Sequence, residues 1–145
     1  MRALLTTLAV LPALCAVTLA DDLTPQRRQE LEKKAQDLDQ EALREYQHGA
    51  YAKAVELLTE ALDINRQLYP KGKYSDGHPQ LANSLSALGM VYHVSGEYGL
   101  AEPLFREALA MYRALFPRAK YPQGHPDLAL SIHNLASLHL SLIHI

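Results

Sequence analysis

Gly49-Ala50-Tyr51-Ala52-Lys53-Ala54 returns 47 residues later as Gly96-Glu97-Tyr98-Gly99-Leu100-Ala101. The residues beyond it return at the same offset: Glu60-Ala61-Leu62 as Glu107-Ala108-Leu109, Lys73-Tyr74 as Lys120-Tyr121, and Gly77-His78-Pro79 as Gly124-His125-Pro126. From residue 49 to residue 80, 15 of 32 positions are identical to the residue 47 further on. A fixed period of this length marks a repeat architecture, in which each unit buries its apolar face on its neighbours. Such folds present surfaces to other proteins, so the period points to a class of function and not to a partner.

The chain has 145 residues, enough for one ordinary domain. Its apolar content of 48% beside 21% charged residues is that of a globular protein. A net charge of −2, with no local cluster of Lys and Arg, gives no electrostatic footprint for nucleic acid. Residues 1–20 differ in kind. Arg2 is followed by an uncharged stretch from Ala3 to Ala20 and then by Asp21-Asp22, the pattern of a secretory signal peptide cut after Ala20. The alternative is an uncleaved membrane anchor over residues 3–20, against which Pro12 and the short span both count. Cys15 is the chain's one cysteine; Leu14 before it is a poor match to a lipid-attachment site, and cleavage would leave an exported chain without thiols. The expected location is therefore periplasmic or secreted, and membrane contact is expected only if the leader is retained.

Everything after the leader reads as helix. Thr24-Pro25 is an N-cap followed by proline, and Leu31, Ala35, Leu38, Ala42 and Tyr46 form one apolar stripe ending at His48-Gly49. Further helices are expected over about residues 52–68, 80–94 and 99–115, with Pro103 in or near the first turn of the last, and a fifth opens at Pro126-Asp127-Leu128. The segments 70–79 and 117–126, with their Pro and Gly residues, are connectors. The expected fold is all-α, with antiparallel helix-turn-helix repeats stacked as an α-solenoid of about two and a half units. Its divisions are a charged lead-in (21–34), a cap-like unit (35–80), a full unit (81–127) and the first helix of a third (128–145).

Leu85, Leu88-Gly89, Tyr92, Gly96, Tyr98, Ala101, Phe105 and Ala108 resemble the tetratricopeptide-repeat signature. Gly89, Ala101 and Ala108 are the small residues that let two helices approach closely. The first unit departs from the pattern at Glu41-Ala42 and Glu45, a polar outer helix suited to a cap. The long period and the phrases Gly124-His-Pro-Asp-Leu-Ala129 and Ala101-Glu-Pro-Leu-Phe-Arg-Glu-Ala-Leu109 are similar to the kinesin-light-chain type of repeat.

That resemblance implies a non-enzymatic scaffold whose first helices line a concave surface for a peptide or protein. The positions it assigns to the groove are Gln36, Asp39, Gln40, Leu43 and Tyr46 in the first unit. Asn83, Ser86, Met90 and His93 come from the second, and His133, Asn134 and Ser137 from the third. Asn134 is the residue expected to bond a peptide backbone. The alternative is that this face is plain solvated surface.

No catalytic residues, metal or cofactor are expected. There is no phosphate-binding loop, no nucleophile elbow and no nucleotide glycine fingerprint. His78 and His125, each before a proline that opens a helix, read as local caps. His133, His139 and His144 are spaced so that they do not share a helix face. The last helix carries Leu128, Ile132, Leu135, Leu138, Leu142 and Ile145, apolar residues with no further helix to cover them. Either the chain is a fragment, with Ser141–Ile145 not necessarily native repeat sequence, or it self-associates through this end. The alternative function is then the recognition arm of a larger multidomain protein whose missing part is an enzyme, for example a protease.

Overall fold

The computed structural model describes residues 23–143. The expected leader over residues 1–20, Cys15 and Ile145 lie outside the described residues. Five helices run in order: α1 (Pro25–Gln47), α2 (Tyr51–Leu68), α3 (Pro79–Val94), α4 (Tyr98–Leu115) and α5 (Pro126–Ile143). The stretch expected as a lead-in and the first helix of the first unit are one continuous helix, α1. Thr24 begins it by accepting the Arg27 N–H at 3.2 Å, and Pro25 occupies the first turn, where its missing N–H costs nothing.

α1 and α2 form one antiparallel hairpin and α3 and α4 a second; α3 then packs on α2, and α5 on α4. Each hairpin turns through the same device. The Gly96 N–H bonds the His93 carbonyl at 3.1 Å and the Glu97 N–H reaches the Tyr92 carbonyl at 2.8 Å. Gly49 and Ala50 repeat those two bonds on Tyr46 and Glu45. This paired capping needs a left-handed residue, and Gly96 takes it at φ 83°. Within the second hairpin Gly89 lets the helices close: a Cβ there would stand 2.9 Å from the Phe105 ring. Pro103 falls sixth in α4, just past its first turn. The helix continues through it because the partner it deprives is the carbonyl of Gly99, which is exposed and can bond water.

The connectors also repeat atom by atom. Lys73 and Tyr74 donate backbone bonds to the Pro70 carbonyl, and Gly77 donates to Tyr74; Lys120, Tyr121 and Gly124 do the same on Pro117 and Tyr121. His78 stacks on Tyr69 with ring centres 3.5 Å apart, and His125 stacks on Phe116 at the same distance. Tyr74 and Tyr121 close each stack edge-on. His78 Nδ1 accepts the Gln80 N–H and His125 Nδ1 the Asp127 N–H, both at 3.3 Å, so each histidine caps the helix it precedes.

The main core joins α1 to α4 through Ala42, Leu58, Leu62, Leu85, Leu88 and Tyr112. A second cluster ties the first half of α1 to the end of α2 through Leu31, Ala35, Ile64 and Leu68. There the Arg28 guanidinium also caps the Leu68 carbonyl at 3.2 Å. A third cluster, Ala101, Phe105 and Leu138, holds α5 in place. Burying a side chain the size of Phe105 or Leu138 contributes about 1.5–3 kcal/mol. Of the remaining apolar residues of α5, Leu128 and Leu135 are half-buried, while Ile132 and Leu142 are exposed.

Candidate functional site

The first helices of the two complete units, α1 and α3, are not packed directly together, because α2 lies between them in the packing order. The gap is a cavity of about 310 Å³. Its floor is apolar, made by Ala42, Leu58, Ala87 and Val91. Five of the residues assigned from sequence stand around it: Asp39, Leu43 and Tyr46 from α1, and Asn83 and Met90 from α3. They converge because residues four and seven apart on one helix share a face, and the same face recurs one unit later.

The other assigned residues have different surroundings. Gln36 and Gln40 are exposed on α1 and do not line the cavity. His93 Nε2 meets Ser141 Oγ at 3.0 Å and so links α3 to α5. His133 Nε2 lies 3.4 Å from Ser137 Oγ on the outer part of α5. Asn134 is nearly buried, with 8% of its surface exposed, and offers far less to a ligand than its position implied.

Two polar atoms of this face are unusual. Asp39 Oδ1 is buried without a hydrogen-bond partner, and Ser86 Oγ is buried beside the Tyr112 hydroxyl. They occupy equivalent positions, 47 residues apart. Burial holds the Asp39 carboxyl above its ordinary value. Ser86 lies near Tyr112, whose hydroxyl donates to Asn83 Oδ1. Burial is the main cause that raises the Tyr112 pKa, with the Asp127 charge adding to it. Tyr112 carries no sequence signal of this role, because it belongs to α4 and not to a groove-lining helix. It nonetheless fixes a groove side chain from behind.

A larger cavity, about 570 Å³, lies between the end of α2, the first connector and α4. Arg66, Lys71, Asp76 and Glu107 surround it, and its charges of both signs are those of a solvated seam between elements. The α1–α3 cavity is smaller, but it combines an apolar floor with one carboxylate oxygen, Asp39 Oδ1, that lacks a partner. Among the described residues no three His, Cys, Asp or Glu side chains stand together as a metal set, and no helix is long and apolar enough to cross a membrane.

Five helices without strands among the described residues, paired and stacked at a fixed period, define an all-α helical-repeat solenoid of tetratricopeptide type. Residues 45–114, from the last turn of α1 to the last turn of α4, match the family model for the tetratricopeptide repeat. A comparison with curated proteins returned no match. Tetratricopeptide repeats generally mediate protein–protein interaction and are typically scaffolds without chemistry of their own.

Proposed function

We propose that this chain is a non-enzymatic scaffold that takes an extended segment of a partner protein in the groove between α1 and α3. The observation that carries the reading is the convergence of Asp39, Leu43, Tyr46, Asn83 and Met90 around one apolar cavity. A cavity of this size, at the small end of ligand sites, suits one or two side chains of a bound chain and not a whole cofactor. The neighbouring amide, hydroxyl and imidazole groups suit a peptide backbone passing across them. The 47-residue period and the two Gly-His-Pro connectors support the kinesin-light-chain subtype, and the uncharged stretch after Arg2 supports export.

The test is a random peptide library selected on the full chain. Met90 is exposed, so Met90→Arg can project a bulky cation across the cavity mouth without disturbing the core. Selected peptides are expected to lose binding to Met90→Arg and to keep it with Leu100→Arg, an exposed site on α4 away from the cavity. Equal binding to both variants would remove the groove from the function.

A further inference from the structure

The groove has a charge preference written into it. Its lines of equivalent positions are Gln36, Asn83 and Leu130; Asp39, Ser86 and His133; Gln40, Ala87 and Asn134; Leu43, Met90 and Ser137; Tyr46, His93 and Leu140. No lysine or arginine occurs among them, and Asp39 is the one acid. Asp39 lines the apolar cavity, and its Oδ1 is buried without a donor. A carboxylate so placed has lost water on one side and gained nothing in exchange, a state that costs free energy until a donor arrives. Burial is the cause that raises its pKa, and among the described residues no basic side chain offsets that effect. Asp127, in the first turn of α5, adds a second negative charge toward Tyr112, which in turn holds Asn83. An acidic ligand would find neutral donors along this face but no lysine or arginine to pair with.

We propose that the α1–α3 groove selects a peptide segment that places an apolar side chain in the cavity and a lysine or arginine beside it, paired to Asp39. The apolar anchor meets Leu43, Leu58 and Met90, while the cationic head group supplies the donor that Asp39 Oδ1 lacks. The cation matters more than a neutral donor because a charge-assisted hydrogen bond in a partly desolvated site is roughly twice as strong as a neutral one. This selectivity rests on the groove's proposed role as the binding surface.

Blocked synthetic decapeptides test it against the full chain by fluorescence anisotropy. One series has a central leucine flanked by lysine, glutamine or glutamate; the other has a central serine with the same flanks. The lysine-flanked leucine peptide is expected to bind about tenfold more tightly than its glutamine counterpart, with the glutamate peptide weakest. Asp39→Asn, which keeps shape and volume, is expected to erase the lysine advantage and retain the preference for leucine over serine. Asp37→Asn, an exposed acid two residues away, is expected to leave both unchanged. Tightest binding of the glutamate peptide overturns the proposal. So does a lysine advantage that survives Asp39→Asn or falls equally in Asp37→Asn. If none of these peptides binds while library-selected ones do and are lost in Met90→Arg, the groove stands and its cationic selectivity falls. If the selected peptides also ignore Met90→Arg, both fail.

Discussion

Asn65 Nδ2 donates to Ser84 Oγ across 2.7 Å, a buried bond that ties α2 to α3 at the junction between units. Forty-seven residues on, Tyr112 stands in the place of Asn65 and Ser131 in that of Ser84. The bond is not repeated. The longer tyrosine carries its hydroxyl to Asn83 of its own unit, and Ser131 Oγ is left buried without a partner. The two junctions share a backbone plan and differ in their polar chemistry. Ser84→Ala would strand a buried amide and is expected to cost about 1–3 kcal/mol. Ser131→Ala removes a hydroxyl that bonds nothing and is expected to fall within about 0.5 kcal/mol of neutral, or to stabilise. Urea unfolding of both variants decides; equal losses would refute the asymmetry.

The glycines of the second hairpin separate in the same way. Replacing a helical glycine by alanine ordinarily gains about 1 kcal/mol. At Gly99, where a Cβ meets nothing within 4 Å, Gly99→Ala is expected to stabilise by about 0.5–1 kcal/mol. At Gly89 the same methyl would press on the Phe105 ring, which is fully buried and has no room to move. Overpacking of about 1–3 kcal/mol then exceeds the propensity gain, and Gly89→Ala is expected to lower the melting temperature.

His78 makes the first connector sensitive to acid. Burial lowers its pKa below the ordinary 6.5, with Glu32 opposing that effect and Arg28 adding to it. The ring sits between Tyr69 and Tyr74, and its Nδ1 must be unprotonated to accept the Gln80 N–H. A lowered folded-state pKa means that the unfolded chain takes up the proton first. The stabilisation is therefore complete above the unfolded value and is lost as pH falls through the folded one. Unfolding midpoints measured between about pH 8 and about pH 5 are expected to decline on the acid side. His78→Asn, a cap that does not titrate, is expected to flatten part of that decline, and an unchanged profile would clear His78 of the effect.

Helix α5 is held chiefly by Leu138, which is fully buried against Ala101 and Phe105. In stacked repeats each element depends on its immediate neighbour, so an outer element can detach alone. Leu138→Ala is expected to cost about 2–5 kcal/mol in the docking of α5. Amide exchange should then rise across residues 126–143 while the α1–α4 core stays protected. Uniform loss of protection would mean that the helices unfold as one unit.

The helices and connectors were readable from the chain because both depend on local signals repeated at one period. Thr24-Pro25 starts α1, Gly49 and Gly96 close the hairpins, and the prolines after His78 and His125 open α3 and α5. The cavity was half readable. Asp39, Leu43 and Tyr46 share a helix face by spacing alone, and the family resemblance placed Asn83 and Met90 on the matching face. The floor was not foreseen, because Leu58 reaches it from α2 and contact between helices leaves no mark on spacing. The burial of Asn134 was hidden for a related reason. The period fixes its helix face, while its burial depends on neighbours whose side chains differ from those of the earlier unit. Tyr112 was hidden because an aromatic at core spacing looks the same whether its hydroxyl is idle or bonded.

The two connectors have a consequence for how such a chain can change length. Because each closes with the same backbone bonds and the same histidine stack, a cut within one and the equivalent cut 47 residues on expose matching ends. A segment excised between such points can be copied in tandem, and each new junction reproduces bonds that already exist. Growth by duplication therefore requires no new contact to be invented. What each copy must acquire by later substitution is its own surface chemistry, as the difference between Asp39 and Ser86 at a single shared position illustrates.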